Sequence, residues 1–218
     1  MDARTEAARR QMIEQQVRAW AVLNPRVLET LAAVPRERFV PESYRAVAFA
    51  DAEIPIGHGQ SMLKPALEGR ILQALAPERG ERVLEVGTGS GFLAACLDQL
   101  SGDVESLEIH AELAAGARRA LDAAGSARVR VRTADAFAQA LPSGYQAIVL
   151  GGSLPEYDAR FERALAVGGR LFAIVGTPPV MEARLVTRTA EEAWLSEALF
   201  ETCLQPLENA TAASRFRF

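Results

Sequence analysis

The residues with the clearest chemical potential in this 218-residue chain lie in the stretch Arg82-Val83-Leu84-Glu85-Val86-Gly87-Thr88-Gly89-Ser90-Gly91. Glycines at 87, 89 and 91 let the backbone turn sharply and approach a ligand with no Cβ in the way. Val83, Leu84 and Val86 form the apolar run of a strand covered on both faces, and a helix is expected from Phe92. The first-turn N–H groups of such a helix lack intrahelical partners and can face the ligand. The G-x-G-x-G spacing departs from the G-x-G-x-x-G of dinucleotide-binding turns, which argues against a nicotinamide cofactor. Glu85, two residues before the first glycine, suits a cationic amino-acid end better than a pyrophosphate. The competing reading is a glycine turn that merely joins strand to helix.

Glu85-Val86-Gly87-Thr88-Gly89-Ser90-Gly91 resembles the cofactor loop of S-adenosylmethionine-dependent methyltransferases. Open α/β sheets bind ligands at the carboxyl ends of their strands, beside the switch in strand order. The strand Val104–Glu108 ends in an acid whose carboxylate can accept both hydroxyls of a ribose. Asp135, in Thr133-Ala134-Asp135-Ala136, either reaches an adenine amino group or caps the next turn. The expected cofactor-binding set is therefore Glu85, Gly87, Thr88, Gly89, Gly91, Glu108, Asp135 and Ala136. Beyond Ile148-Val149-Leu150, the small residues Gly151-Gly152-Ser153 leave room for the methionine part or for substrate. Alternatively they form a turn, with Pro155 starting a helix.

The elements that must position these residues follow from periodicity and punctuation. Residues 3–20 read as an amphipathic helix with Ala7, Met12, Ile13, Val17 and Trp20 along one side. Asn24-Pro25 caps and opens a second helix, which presents Val27, Leu28, Leu31 and Val34 and ends at Pro35. A short helical turn is expected through Tyr44, and residues 50–60 form a loop or short strands broken by Pro55, Gly57 and Gly59. Pro65 to Leu75 is a helix with Leu67, Ile71, Leu72 and Leu75 inward. Strands then fall at 82–86, 104–108, 128–132, 145–150 and 169–175, alternating with helices at 91–100, 111–124 and 158–167. Such alternation argues for an α/β fold with a parallel sheet covered by helices on both faces. Two further strands, 183–189 and 193–200, are more amphipathic and expected to be antiparallel. The expected organisation is one domain over 1–218: a helical cap at 1–76 and a cofactor-binding core at 77–218.

A second set of residues narrows the chemistry. Val34-Pro35-Arg36-Glu37-Arg38-Phe39-Val40-Pro41-Glu42, Ile54-Pro55-Ile56-Gly57-His58-Gly59-Gln60 and the Gly87 loop together resemble the protein-L-isoaspartate O-methyltransferase family. Pro155-Glu156 and Gln205-Pro206-Leu207 are similar to later landmarks of that family, so the resemblance runs over residues 6–207. It implies a Rossmann-like fold with a mostly parallel seven-stranded sheet, S-adenosylmethionine as cofactor and isoaspartyl-containing proteins as substrates. The implied reaction methylates the isoaspartyl carboxylate, which is already an anion, so no general base is required. The protein's task is then to position the partners and balance charge. After G-H-G-Q the family continues T-I-S-Q-P, whereas this chain reads Ser61-Met62-Leu63-Lys64-Pro65. Ser61 can supply the first hydroxyl, Leu63 replaces the second, and Lys64 either clamps an anion or is solvated or paired with Glu68. Ser61 and His58 are the candidate catalytic residues, His58 either orienting substrate or bonding local backbone. The altered loop leaves open a different methyl acceptor, or a non-catalytic cofactor-binding or interaction protein.

Composition bounds the rest. A formal net charge of -4 gives no electrostatic case for nucleic-acid binding. No apolar run reaches membrane-span length and the first twenty residues lack a signal-peptide core, so a soluble, cytoplasmic protein is expected. Two cysteines, Cys96 and Cys203, suit a reducing compartment and are expected to be packing residues. Separated histidines and cysteines give no metal-ligand cluster, and oligomeric state is not encoded in any recognisable pattern. The terminal Ser214-Arg215-Phe216-Arg217-Phe218 alternates like an added edge strand or interface tail.

Overall fold

A computed structural model describes residues 3–211; the terminal alternating segment lies outside the described residues. The main sheet has seven strands in the order β5-β4-β3-β6-β7-β8-β9. They are β3 (Arg82–Val86), β4 (Asp103–Glu108), β5 (Arg130–Thr133), β6 (Tyr145–Leu154), β7 (Leu165–Thr177), β8 (Val180–Ala190) and β9 (Ala193–Thr202). The first five run parallel, and β8 and β9 are antiparallel, as the amphipathic terminal strands suggested. From β3 the chain builds outward through β4 and β5, then returns to β6 on the other side. That reversal opens a crevice at the carboxyl ends of β3 and β6, where a ligand can enter.

Strand alternation divides the core. Val83, Val149 and Phe172 face one cluster, which also takes in Met12, Leu31 and Ile71 of the N-terminal region and Leu97 of helix α4 (Phe92–Leu100). Leu84, Ile148, Leu150 and Leu171 face the opposite cluster, with Tyr145 and Phe161. Burial on both faces explains why these strands read as near-continuous apolar runs. Helix α5 (Ala111–Ala124) ends at Gly125 with φ +86°, the left-handed stop its sequence announced.

The N-terminal segment is helical over the expected 3–20, but its winding and its buried face differ from a regular amphipathic helix. Helix α1 covers Ala3–Met12, followed by a π turn at Ile13–Val17 and a 3-10 turn at Arg18–Trp20. Ala7 and Trp20 are exposed, whereas Arg9 is buried, donating to Glu6 at 2.6 Å and Glu37 at 2.9 Å. Two carboxylates compensate that guanidinium, a pairing that apolar periodicity does not encode. Helix α2 (Pro25–Ala33) has the expected cap, Asn24 accepting from the Arg26 amide at 3.0 Å. A 3-10 turn at Glu42–Val47 continues past Tyr44, then strands β1 (Ile54–Gly57) and β2 (Gln60–Met62) form a hairpin ahead of helix α3 (Pro65–Leu75). The helix expected at 158–167 shrinks to α6 (Arg160–Arg163) because Leu165 already pairs with Tyr145 of β6. Nor does Pro155 start a helix: β6 runs on through Leu154, with a bulge between Val149 and Ser153. Cys96 is buried, but Cys203 is exposed and not the packing residue expected.

Candidate cofactor and acceptor site

The turn after β3 sits at the crevice. Gly87, Gly89 and Gly91 all have positive φ (+91°, +52° and +87°), a region closed to most side chains. Gly151 of β6 packs so closely that a Cβ there would lie 2.8 Å from the Gly87 carbonyl oxygen. The amides of Gly87 and Thr88 donate to the Leu107 carbonyl at 2.8 and 3.2 Å, fixing the turn to the end of β4. Ser90 Oγ accepts from the Phe92 amide at 3.3 Å, so that first-turn N–H group is already engaged by the protein.

Glu85 is fully buried. One carboxylate oxygen accepts from Ser106 Oγ, which also meets Thr88 Oγ1 at 2.5 Å; the other oxygen, Oε1, has no hydrogen-bond partner among the described residues. Burial, opposed by the Ser106 hydrogen bond and reinforced by the carboxylates of Glu108 and Glu68, pushes its pKa up to about 8. An unpartnered buried oxygen is costly unless something supplies a donor. Glu85 borders a small cavity, open to solvent, that is also lined by Ser61, Leu63, Glu68, Thr88 and Ser90. An ammonium group, such as the one at the amino-acid end of S-adenosylmethionine, supplies such a donor.

A larger cavity of about 770 Å³ adjoins it, sharing Ser61, Gly87, Gly89 and Gly151. Glu108, Asp135 and Ala136 line its wall, as do Gly152 and residues 204–208. Glu108 accepts the Gly89 amide at 2.8 Å and the His110 amide at 3.0 Å, which aligns its carboxylate with the cavity. Further lone pairs on both oxygens remain to accept from hydroxyl groups. Asp135 both caps and lines: Oδ1 accepts the Phe137 amide at 2.7 Å and Oδ2 accepts from Asn209 at 2.8 Å. Thr88 and Gly91 stand further back, Thr88 against Ser106 and Gly91 against Ala117 of α5.

The β1–β2 hairpin brings Ser61 to the junction of the two cavities. Leu63 is buried at the wall of the smaller one, while Lys64 is exposed. Glu68 pairs with Arg36 instead of Lys64 because it points inward from α3. His58, at φ +53° in the hairpin tip, lines a neighbouring groove and bonds Glu112 of α5 at 2.6 Å, not local backbone. Its ring stacks on His110 with centroids 4.4 Å apart, so two histidines far apart in sequence meet in space. His110 in turn meets Glu208 at 2.8 Å, and Gln60 donates to the same carboxylate oxygen at 3.0 Å. His110, Glu112 and Glu208 lie outside every motif that the sequence singled out, although Gln205-Pro206-Leu207 ends beside Glu208. Arg36 and Gln60 stand in the motifs at 34–42 and 54–60, which named them but gave no sign of their partners.

Comparison with known proteins identifies the family. The family model described as Protein-L-isoaspartate(D-aspartate) O-methyltransferase (PCMT) matches residues 7–210. Protein-L-isoaspartate O-methyltransferase 1 of Rhodopseudomonas palustris (strain HaA2) is 40% identical over 211 residues, covering 94% of this chain and 85% of the relative. Protein-L-isoaspartate O-methyltransferase 2 of Marinobacter nauticus (strain ATCC 700491 / DSM 11845 / VT8) is 37% identical over 203 residues, 91% of this chain and 92% of the relative. Among solved structures, a Plasmodium falciparum chain assigned to the same enzyme class, in complex with S-adenosyl-L-homocysteine, superposes with a TM-score of 0.78. At 18% identity, over 94% of this chain and 98% of that one, it shows a shared fold.

Proposed function

Because the chain belongs to the protein-L-isoaspartate(D-aspartate) O-methyltransferase family, we propose that it methylates the free carboxylate of L-isoaspartyl residues in damaged proteins and peptides. S-adenosylmethionine is the cofactor and, when bound, supplies an electrophilic sulfonium methyl. The observation that carries the reading is Ser61 at the junction of two cavities, one of them bordered by the buried carboxyl of Glu85, whose Oε1 has no partner among the described residues. Glu85 receives the cationic amino-acid end, Glu108 the ribose hydroxyls, and Asp135 and Ala136 border the adenine side. Gly87, Thr88, Gly89 and Gly91 shape the turn between them. Ser61 orients the acceptor carboxylate, and His58 acts by holding the hairpin through Glu112. The acceptor is already an anion, so positioning and charge balance replace base catalysis.

The rest of the setting is part of the same reading. The net charge of -4 supports protein or peptide acceptors over nucleic acid. Two free cysteines, one of them exposed, suit the cytoplasm, and no helix among the described residues is long and apolar enough to cross a membrane. The cluster joining Met12 and Leu31 to Val83 and Phe172 supports one domain, with residues 1–76 as its cap.

A second reading, methylation of a different acceptor, is favoured by Leu63, whose apolar side chain borders the transfer cavity. The deciding experiment is transfer of labelled methyl from S-adenosylmethionine to an isoaspartyl peptide, with the aspartyl peptide as control. Label on the isoaspartyl peptide alone, released as methanol at mild alkaline pH, is the expected result. The Leu63→Ser variant should raise that rate about 10- to 100-fold, the worth of a restored hydrogen bond to a charged group. No label in either protein, with cofactor binding intact, would transfer the assignment to another acceptor.

A further inference from the structure

Arg36 and Glu68 form the most deeply buried ion pair among the described residues, their side chains 0% and 2% exposed. The Arg36 guanidinium does more than meet Glu68. Its Nε donates to the Ala48 carbonyl at 2.9 Å and its Nη2 to the Leu63 carbonyl at 2.7 Å. Ala48 precedes the β1–β2 hairpin and Leu63 follows it, so one planar fork holds both roots of the segment that carries Ser61. The same group lies over the Phe92 ring, 4.8 Å from its centroid, and Phe92 is the first residue of α4 after the glycine turn. Glu68 itself borders the small cavity together with Ser61, Leu63 and Glu85.

Stability alone does not call for such a pair. Replacing both members of a buried ion pair by apolar side chains is often neutral or stabilising, whereas removing one strands the other's charge. What an apolar pair cannot reproduce is a rigid set of donors aimed at two carbonyls on opposite sides of a hairpin. We propose that Arg36, neutralised by Glu68, is a positioning residue for methyl transfer: it fixes Ser61–Leu63 against the Gly87–Gly91 turn. This rests on the reading of Ser61 as the residue that orients the acceptor. A displacement of that loop by an ångström is enough to lower a transfer rate about 100-fold.

The test is the double variant Arg36→Met/Glu68→Met, compared with wild type for melting temperature, cofactor affinity, kcat on the isoaspartyl peptide, and amide exchange at Ser61–Leu63. The expected outcome is a folded protein with kcat reduced about 10- to 100-fold, a much smaller change in cofactor affinity, and exchange at 61–63 faster by at least about tenfold. Exchange in β3 and β6 should stay unchanged. If the double variant does not fold, Arg36→Lys takes its place, keeping the charge opposite Glu68 while losing the fork. Unchanged exchange at 61–63, or full kcat in a folded variant, would overturn the proposal. A wild-type protein that leaves the isoaspartyl peptide unlabelled refutes the acceptor assignment, while the exchange comparison still decides what Arg36 does.

Discussion

Glu85, proposed above to hold the cofactor, combines an oxygen without a donor among the described residues with a pKa raised to about 8. A carboxyl whose folded pKa lies above its ordinary value of 4.5 is held protonated by the fold. Its contribution to stability is therefore lost as pH rises between those two values. A cationic ligand group reverses the balance, because only the ionised carboxylate attracts it. Affinity for S-adenosylmethionine should consequently strengthen by up to about tenfold per pH unit between roughly pH 6 and 8, following the ionised fraction. In Glu85→Gln affinity should be weak throughout and the slope should shrink to the part carried by Glu68, which borders the same cavity and whose pKa burial raises to about 7; calorimetry across the pH range reads both. A Glu85→Gln protein with an undiminished slope would place the titrating group elsewhere. The place of Glu85 before the glycines pointed to the role proposed for it. Its missing partner was not legible there, since Ser106 reaches only one of its two oxygens across the β3–β4 pairing.

Among the elements, the β1–β2 hairpin and the segment 204–208 together cover the larger cavity. Their junction is the Glu208 carboxylate, which receives Gln60 from the hairpin and meets His110 from the start of α5. The segment is anchored from behind by Ser153, whose hydroxyl donates to Leu204 and whose backbone exchanges hydrogen bonds with Gln205 and Leu207. That anchoring is independent of Glu208, so Glu208→Ala should loosen the cover without detaching the segment. The expected effect is a several-fold faster release of S-adenosyl-L-homocysteine in stopped flow, with melting temperature little changed because exposed pairs contribute about 0–1 kcal/mol. Equal release rates would mean the cover opens by another route. At this scale the sequence located α3, α4, α5 and the strands well, because each has a clean apolar period and a capping or stop residue. It failed at α6, where Leu165 follows strand pairing, and along α1, where Arg9 takes a core position through two carboxylates.

For the molecule as a whole, the question is how the cap is fastened to the sheet. Arg170 of β7 donates to the carbonyls of Leu75 and Ala76 at the end of α3, and to Glu81 through two nitrogens at 2.9 and 2.8 Å. Losing it orphans helix-end carbonyls that have few other donors. Arg170→Met should cost about 3 kcal/mol and lower the melting temperature by about 6–12 °C, measured by calorimetry. A single transition in both proteins is the expected trace, because the cap and one face of the sheet share a continuous apolar cluster. Two separated transitions would make residues 1–76 an independent unit. The succession of strands and helices, the glycine turn, the acids at the strand ends and the family resemblance could all be read along the chain. Each of those is written in short-range periodicity or in a local motif. That His58 stacks on His110, that Glu208 meets Gln60, that Glu68 turns from Lys64 to Arg36, and that one guanidinium grips both roots of the hairpin emerges only once the elements pack. Those contacts join residues tens of positions apart, and side-chain geometry across packed elements leaves no periodic trace along the chain.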